Sequence, residues 1–275
     1  SGRNCLIGFT DVAPVKCIFG ASDAAKTVVL FGDSHADQWS TPLASLASAR
    51  GWRLVTVLKA SCAVSDIPSY SPRLRRDWPE CAEWRARAIE EIRQLQPTMV
   101  IVSQYSSGYV RGPWSARGKH AVTHDAWEAG LRRTLSRLRE TNASILLLRD
   151  SPSPGRNVGT CIARSRWRGL SESNCDTPRI DALDPAISPL ERAVATSMGA
   201  RFGDLSAQFC DDTTCPSMRS GILVYRDANH MTTAFAARQA ANLEPMLEPM
   251  LEGTLMSQEA PRSSGLPRDS HPRAR

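Results

Sequence analysis

Apolar residues along this chain alternate between short continuous runs and stretches in which they recur every three or four positions. Thr27 to Phe31 (TVVLF) is a continuous, β-rich run that stops at Gly32, the pattern of a strand buried on both faces. From His35 to Arg50, Trp39, Leu43, Leu46 and Ala47 recur at helical spacing, and Gly51 follows as a C-cap. The alternation then repeats. Arg53 to Leu58 is a predicted strand, and Cys81 to Leu95 is a helix with Trp84, Ala88, Ile89, Ile92 and Leu95 on one face. Met99 to Val102 is a third strand, His124 to Arg139 a helix carrying Trp127, Leu131, Leu135 and Leu138, and Ser144 to Leu148 a fourth strand. Strands alternating with helices imply an α/β protein whose parallel sheet is covered on both faces.

Beyond Asp150 the texture changes to Ser, Pro, Gly and Arg through residue 180, which reads as one long loop. Ser188 to Met198 is a predicted helix, Arg201 to Leu205 a short strand, and Thr232 to Leu251 a last helix. The expected organisation is an N-terminal extension at 1–24, one catalytic domain at 25–252, and a disordered tail at 253–275. No internal repeat defines an array; the doubled LEPM near 243–250 is helical sequence.

Charge and composition narrow the class. The net charge of +6 is partly carried by the tail, and no basic run interleaved with aromatics accompanies it, so no nucleic-acid partner is expected. No window approaches the ~20 consecutive apolar residues of a membrane-spanning helix, so the chain as it stands is expected to be soluble. It begins at Ser1 rather than Met, which leaves room for a processed product or for a membrane-bound remainder of a longer protein.

Eight cysteines fall as four neighbouring pairs: Cys5 with Cys17, Cys62 with Cys81, Cys161 with Cys175, and Cys210 with Cys215. Short loops are the easiest to close, so sequential disulfides and an oxidising compartment are expected. The alternatives are zinc ligation, for which no C-x-x-C pair is present, and buried free thiols.

The strongest chemical signal is Phe31-Gly32-Asp33-Ser34-His35, where the first strand passes into a helix. Strand ends of this kind face the ligand crevice, and the unpaired N–H groups of the following helix suit an oxyanion. Ser34 is therefore a candidate nucleophile; it is also in the position of an ordinary helix cap. A serine hydroxyl needs a base held by a carboxylate. Of the five histidines, His271 lies in the tail, His35 sits beside the serine and points elsewhere, and His120 and His124 precede a surface helix. His230 lies in Asp227-Ala228-Asn229-His230, a loop leading into the last helix. That spacing lets Asp227 reach one imidazole nitrogen and leaves the other for Ser34. The competing reading has Asp227 or Asn229 capping the helix and His230 on the surface. His120 and His124 have H-x-x-x-H spacing but no evident third ligand, and no metal is expected. Trp39, Trp84 and Trp127 fit helix core stripes, while Trp114 and Trp167 in loops are the candidates for stacking on a sugar.

GDSH after the first strand and D-x-x-H before the last helix resemble the first and last blocks of the SGNH/GDSL hydrolase family. With the paired cysteines, the chain is similar, more narrowly, to the SGNH domains fused behind membrane acyltransferase-3 domains in bacterial surface-polysaccharide O-acetyltransferases, over about residues 25 to 250. The resemblance implies a flavodoxin-like three-layer α/β/α sandwich. It implies an acyl-enzyme on Ser34, a proton shuttle at His230, orientation of His230 by Asp227, and no cofactor. It further implies a periplasmic setting tethered to the inner membrane. There an acetyl group delivered by a membrane acyltransferase domain would pass to a hydroxyl of a polysaccharide such as lipopolysaccharide. The middle of the chain departs from the family pattern, whose second block carries a Gly and third a Gly-x-Asn-Asp. Here Lys59-Ala60-Ser61-Cys62 and Ser103-Gln104-Tyr105-Ser106 stand instead. By position, the Ser61 or Cys62 N–H and the Gln104 amide are the candidate oxyanion donors. A weak oxyanion hole would make a sluggish hydrolase, which suits a transferase. The alternatives are a carbohydrate acetylesterase with the same residues and a non-catalytic glycan-binding module.

Overall fold

Two short strands, β1 (Leu6–Ile7) and β2 (Lys16–Gly20), precede β3 (Thr27–Gly32), which is buried at every position. In the computed structural model, which describes residues 4–110 and 122–252, β3 is the middle of the sheet. It pairs in parallel with β4 (Arg53–Lys59) and with β5 (Met99–Ser103). β6 (Ser144–Leu148) and β7 (Arg201–Gly203) continue the sheet beyond β5, again in parallel. β1 and β2 both pair with the far edge of β4, β1 parallel and β2 antiparallel, so the segment before residue 25 is built into the same sheet.

The order β4-β3-β5-β6-β7 is that of a doubly wound, flavodoxin-like sheet, and it bears out the expected three-layer α/β/α class. Successive residues of β3 serve opposite layers. Val28 and Leu30 join a core with Trp39, Leu43 and Leu247, while Val29 and Phe31 join one with Trp84, Ile92 and Leu131. The chain winds one way from β3 to β4 and the other way to β5, so a crevice opens where the carboxyl ends of β3 and β5 meet.

Among the helices are α1 (Ser34–Asp37), α2 (Ser40–Arg50), α3 (Pro79–Leu95), α4 (Ser106–Val110), α5 (His124–Arg139), α6 (Val158–Trp167), α7 (Ile187–Ser197), α8 (Thr233–Arg238) and α9 (Ala240–Leu251). Two predicted helices are broken. The first parts at Gln38, whose amide donates to Ser151 Oγ at 2.9 Å and accepts from Met231 N–H at 2.9 Å. The last parts at Gln239, which is buried and caps its own turn against Phe235 O. The predicted loop after Asp150 contains α6. Asn157 caps it by accepting from Thr160 N–H at 2.9 Å, and Val158 and Ile162, one turn apart, bury its inner edge. An exposed face of Arg, Ser and Thr gave this helix too few apolar positions to show a period.

All eight cysteines are bridged in the expected sequential pairs, Cys5–Cys17, Cys62–Cys81, Cys161–Cys175 and Cys210–Cys215, which sets aside zinc and free thiols. Among the described residues no helix is long and apolar enough to cross a membrane. The proposed tail at 253–275, His120 and Trp114 lie outside the described residues. Replacing both Cys62 and Cys81 by Ala opens the segment between β4 and α3. The expected loss is about 3 kcal/mol of stability, read from guanidinium unfolding. An unmoved midpoint would show that the bridge contributes nothing.

Candidate active site

The exit from β3 is built for close approach. A Cβ on Gly32 would overlap the carbonyl oxygen of Ser103 and come within 2.5 Å of Ala36 Cβ, so only glycine lets β3 pass this near to β5 and α1. Asp33 comes next and is fully buried. Its Oδ1 accepts from His35 N–H at 2.8 Å, and its Oδ2 accepts from Tyr105 N–H at 2.9 Å and from the Tyr109 hydroxyl at 2.6 Å. Burial raises the Asp33 carboxyl above its ordinary range while these donors pull the other way. Burial, and after it the same carboxylate, pushes the Tyr109 phenol well up. Asp33, then, is the cap of α1, and the Ser34 side chain is free of that duty.

His230 reaches the same place from the other end of the chain. Its loop is closed by a bridge between Tyr225 and Met231 and by Arg226 N–H donating to His230 O at 2.9 Å. Inside it, Asp227 Oδ1 accepts from Asn229 N–H at 2.9 Å and His230 N–H at 2.8 Å. The carboxylate is thereby fixed so that Oδ2 lies 2.9 Å from His230 Nδ1. His230 Nε2 lies 2.9 Å from Ser34 Oγ. The cap of α8 is Thr232, accepting from Phe235 N–H at 3.1 Å, so neither Asp227 nor Asn229 serves that helix. Burial tends to raise Asp227, but the two backbone N–H groups and His230 outweigh it and its carboxyl sits below the usual value. Burial lowers His230, and the charge of His35 pushes the same way against Asp227.

His35 gave no sign in the sequence of what it does. Its fully buried ring stacks on Tyr105 with centroids 4.2 Å apart and lies 4.9 Å from the ring of His230. Its Nδ1 is 2.6 Å from Asp150 Oδ1, while its buried Nε2 has no partner among the described residues. Burial alone would lower this imidazole; the charge and hydrogen bond of Asp150, helped by Asp33 and Asp227, outweigh it and hold it above the ordinary histidine value. The available signal was Asp150 itself, a carboxylate directly after Arg149 at the carboxyl end of β6, where a parallel sheet places its site.

The candidate oxyanion donors separate. The Ser34 and Ser61 N–H groups donate to no acceptor among the described residues, and Ser61, at φ 56°, lines the same cleft as Ser34 and His230. Cys62 is buried in its disulfide with its N–H donated to Lys59 O at 3.3 Å. Gln104 is buried as well. Its Oε1 accepts from Val64 N–H at 2.8 Å and Ser65 N–H at 3.0 Å, and its Nε2 donates to Ser65 Oγ at 3.0 Å. Cys62 and Gln104 brace the loop that carries Ser61 and do not line the cleft. Trp39, Trp84 and Trp127 are in the core, and Trp167, 83% exposed on α6, is also outside the cleft lining. Among the described residues no group of three or more potential ligands could hold a metal.

Comparison with known proteins agrees with this arrangement of fold and motifs. The family described as the SGNH domain fused to AT3 domains matches residues 4–245. The chain belongs to that family. Among solved structures, the periplasmic domain of a lipopolysaccharide acetyltransferase from Salmonella ser. Paratyphi A is similar at a TM-score of 0.62 and 15% identity, covering 82% of this chain and 85% of the other. A proposed acylhydrolase from Bacteroides fragilis NCTC 9343 is similar at a TM-score of 0.50 and 10% identity, covering 84% and 91%. At these identities the likeness is one of fold. No curated protein matches. In this SGNH domain the two neighbouring histidines should titrate in opposite directions from the free side chain. In a ¹⁵N-histidine NMR titration, His35 is expected to keep its second proton above the ordinary midpoint of about 6.5 and His230 to lose its own below it. The reverse order would contradict the charge arrangement described.

Proposed function

We propose that this SGNH domain moves an acetyl group through an ester on Ser34 to a hydroxyl of a cell-surface polysaccharide. The observation that carries this reading is the continuous contact from Asp227 through His230 to Ser34 in an open cleft. A serine hydroxyl aligned with an imidazole can lose its proton as it attacks an acetyl carbonyl, and the carboxylate behind the ring stabilises the imidazolium that forms. The N–H groups of Ser34 and Ser61 are the donors we assign to the oxyanion, with no side-chain amide to help them. His230 then returns its proton to the leaving group, takes one from the sugar hydroxyl as that oxygen attacks the acetyl carbonyl, and gives it to Ser34 Oγ as the acetyl group leaves for the sugar.

The family's fusion to AT3 domains supports a membrane acyltransferase as the source of the acetyl group. The four disulfides support an oxidising, extracytoplasmic compartment, and we place the domain in the periplasm, tethered through that membrane partner. We assign the catalytic unit to residues 25–252 together with the two strands that complete the sheet edge. A second reading, carbohydrate acetylesterase, is favoured by the openness of the cleft, a space of about 610 Å³ in which water has the same access to an acyl-serine as a sugar.

Release of p-nitrophenol from its acetate ester tests the shared chemistry. Ser34→Ala and His230→Ala are each expected to lower kcat by at least about a thousandfold. Because burial and His35 lower His230, the acid limb of kcat/KM should fall below the free-histidine midpoint of about 6.5. With glycans added, an acetylated sugar supports transfer and acetate alone supports the esterase. Absence of Ser34-dependent turnover would leave the glycan-binding module as the better account.

A further inference from the structure

The cleft at Ser34 has an unbalanced charge. Among the described residues that line it are Arg73 and Arg226, with Phe9 and Ser61 between apolar neighbours, and no carboxylate. Arg226 is 54% exposed and partly engaged, its Nε 3.6 Å from Asp227 Oδ2. Arg73 has no ion pair among the described residues.

Arg73 is also held in place. It sits at the tip of a hairpin in which Tyr70–Ser71 pairs with Arg76–Asp77, and Leu74 N–H donates to Ser71 Oγ at 3.1 Å across the turn. The hairpin is stapled at its base by Cys62–Cys81, and Trp78 Nε1 donates to Phe9 O at 2.8 Å, fastening it to the N-terminal segment. Its guanidinium lies over the Phe9 ring, 5.0 Å from the centroid. Stacking of this kind orients the planar fork before any ligand arrives, which reduces the ordering that binding requires. An oriented guanidinium with no counter-charge matches a carboxylate or phosphate through two parallel hydrogen bonds. Arg226, on the His230 loop, adds a second positive charge within the same cleft.

We propose that the glycan received by this cleft is acidic, with a carboxylate or phosphate held by Arg73 and Arg226 while a neighbouring hydroxyl lies at Ser34. The position of that hydroxyl rests on the acyl-transfer reading; the binding of the anion does not. The purified chain is titrated with a hexuronic-acid oligosaccharide, a phosphorylated hexose oligosaccharide and a neutral hexose oligosaccharide of equal length. Affinity is read by calorimetry and location by the amide shifts of Ser34, Arg73 and His230. At least one acidic ligand is expected to bind about tenfold or more tighter than the neutral one, a difference near 1.4 kcal/mol, and to move those amides. The better of the two acidic ligands names the anion. Arg73→Ala should remove most of that preference, Arg226 keeping the rest, and Arg73→Lys should restore part of it, with binding weakening as salt is raised. Equal affinity for acidic and neutral glycans, no binding of any of them, an acidic preference that Arg73→Ala leaves undiminished, or binding that leaves the Ser34 and His230 amides unmoved would each overturn the proposal. Failure of the acyl-transfer reading shows separately, as absence of Ser34-dependent ester turnover, and leaves these binding results interpretable.

Discussion

The geometry of the cleft hangs on one hydrogen bond between the two ends of the fold, between Ser34 Oγ and His230 Nε2, 2.9 Å long and spanning 196 residues. Neither residue is held there by its own neighbours alone. Ser34 is delivered by β3, whose exit is fixed by Gly32 against Ser103 and by the buried Asp33 carboxylate with its three donors. His230 is delivered by a loop that hangs on Asp227 and is tied across the sheet edge by Gln38 to Met231 and by Ser153 to Ala228. A sheet whose order turns back between β3 and β5 is what lets segments so distant in sequence meet at one crevice.

Behind this contact lies a second imidazole and carboxylate, His35 and Asp150, neither of which lines the Ser34 cleft. The two histidine rings, 4.9 Å apart, cannot both carry a proton cheaply in a buried setting. Asp150 draws the proton toward His35, and His230, the less basic of the two, is left in the neutral form, the form that can accept a proton from a hydroxyl. The price of that readiness is a less stable imidazolium, which Asp227 offsets from the other side. Burial of Glu191, pushed up to about 7 between Ser106 and Trp127, continues the same crowding of buried acids on the α4 side of Asp150.

Much of this was legible in the sequence, for physical reasons that differ from place to place. Continuous apolar runs gave the parallel strands because both faces of the sheet are covered, and the sequential disulfides followed from short loops. Ser34, Asp227 and His230 stood out because strand end and helix start are where such groups face a crevice. What stayed hidden depends on contacts rather than spacing. The breaks at Gln38 and Gln239 come from side-chain amides turned inward, and α6 has too few apolar positions for a period. Gln104 and Cys62 occupy the right positions in the chain, but their polar groups are taken up in bracing the loop at Ser61. Arg73 could not be placed beside Ser34 without the hairpin and the disulfide that hold it there.

Whether Ser34 carries the acyl group is read by mass spectrometry of the chain acid-quenched during turnover of an acetyl ester, followed by peptide mapping. One acetyl group is expected on the peptide containing Ser34, present in the wild type and lost in His230→Ala. An unmodified Ser34 during rapid turnover, or an acetyl group that maps to another residue, would contradict it.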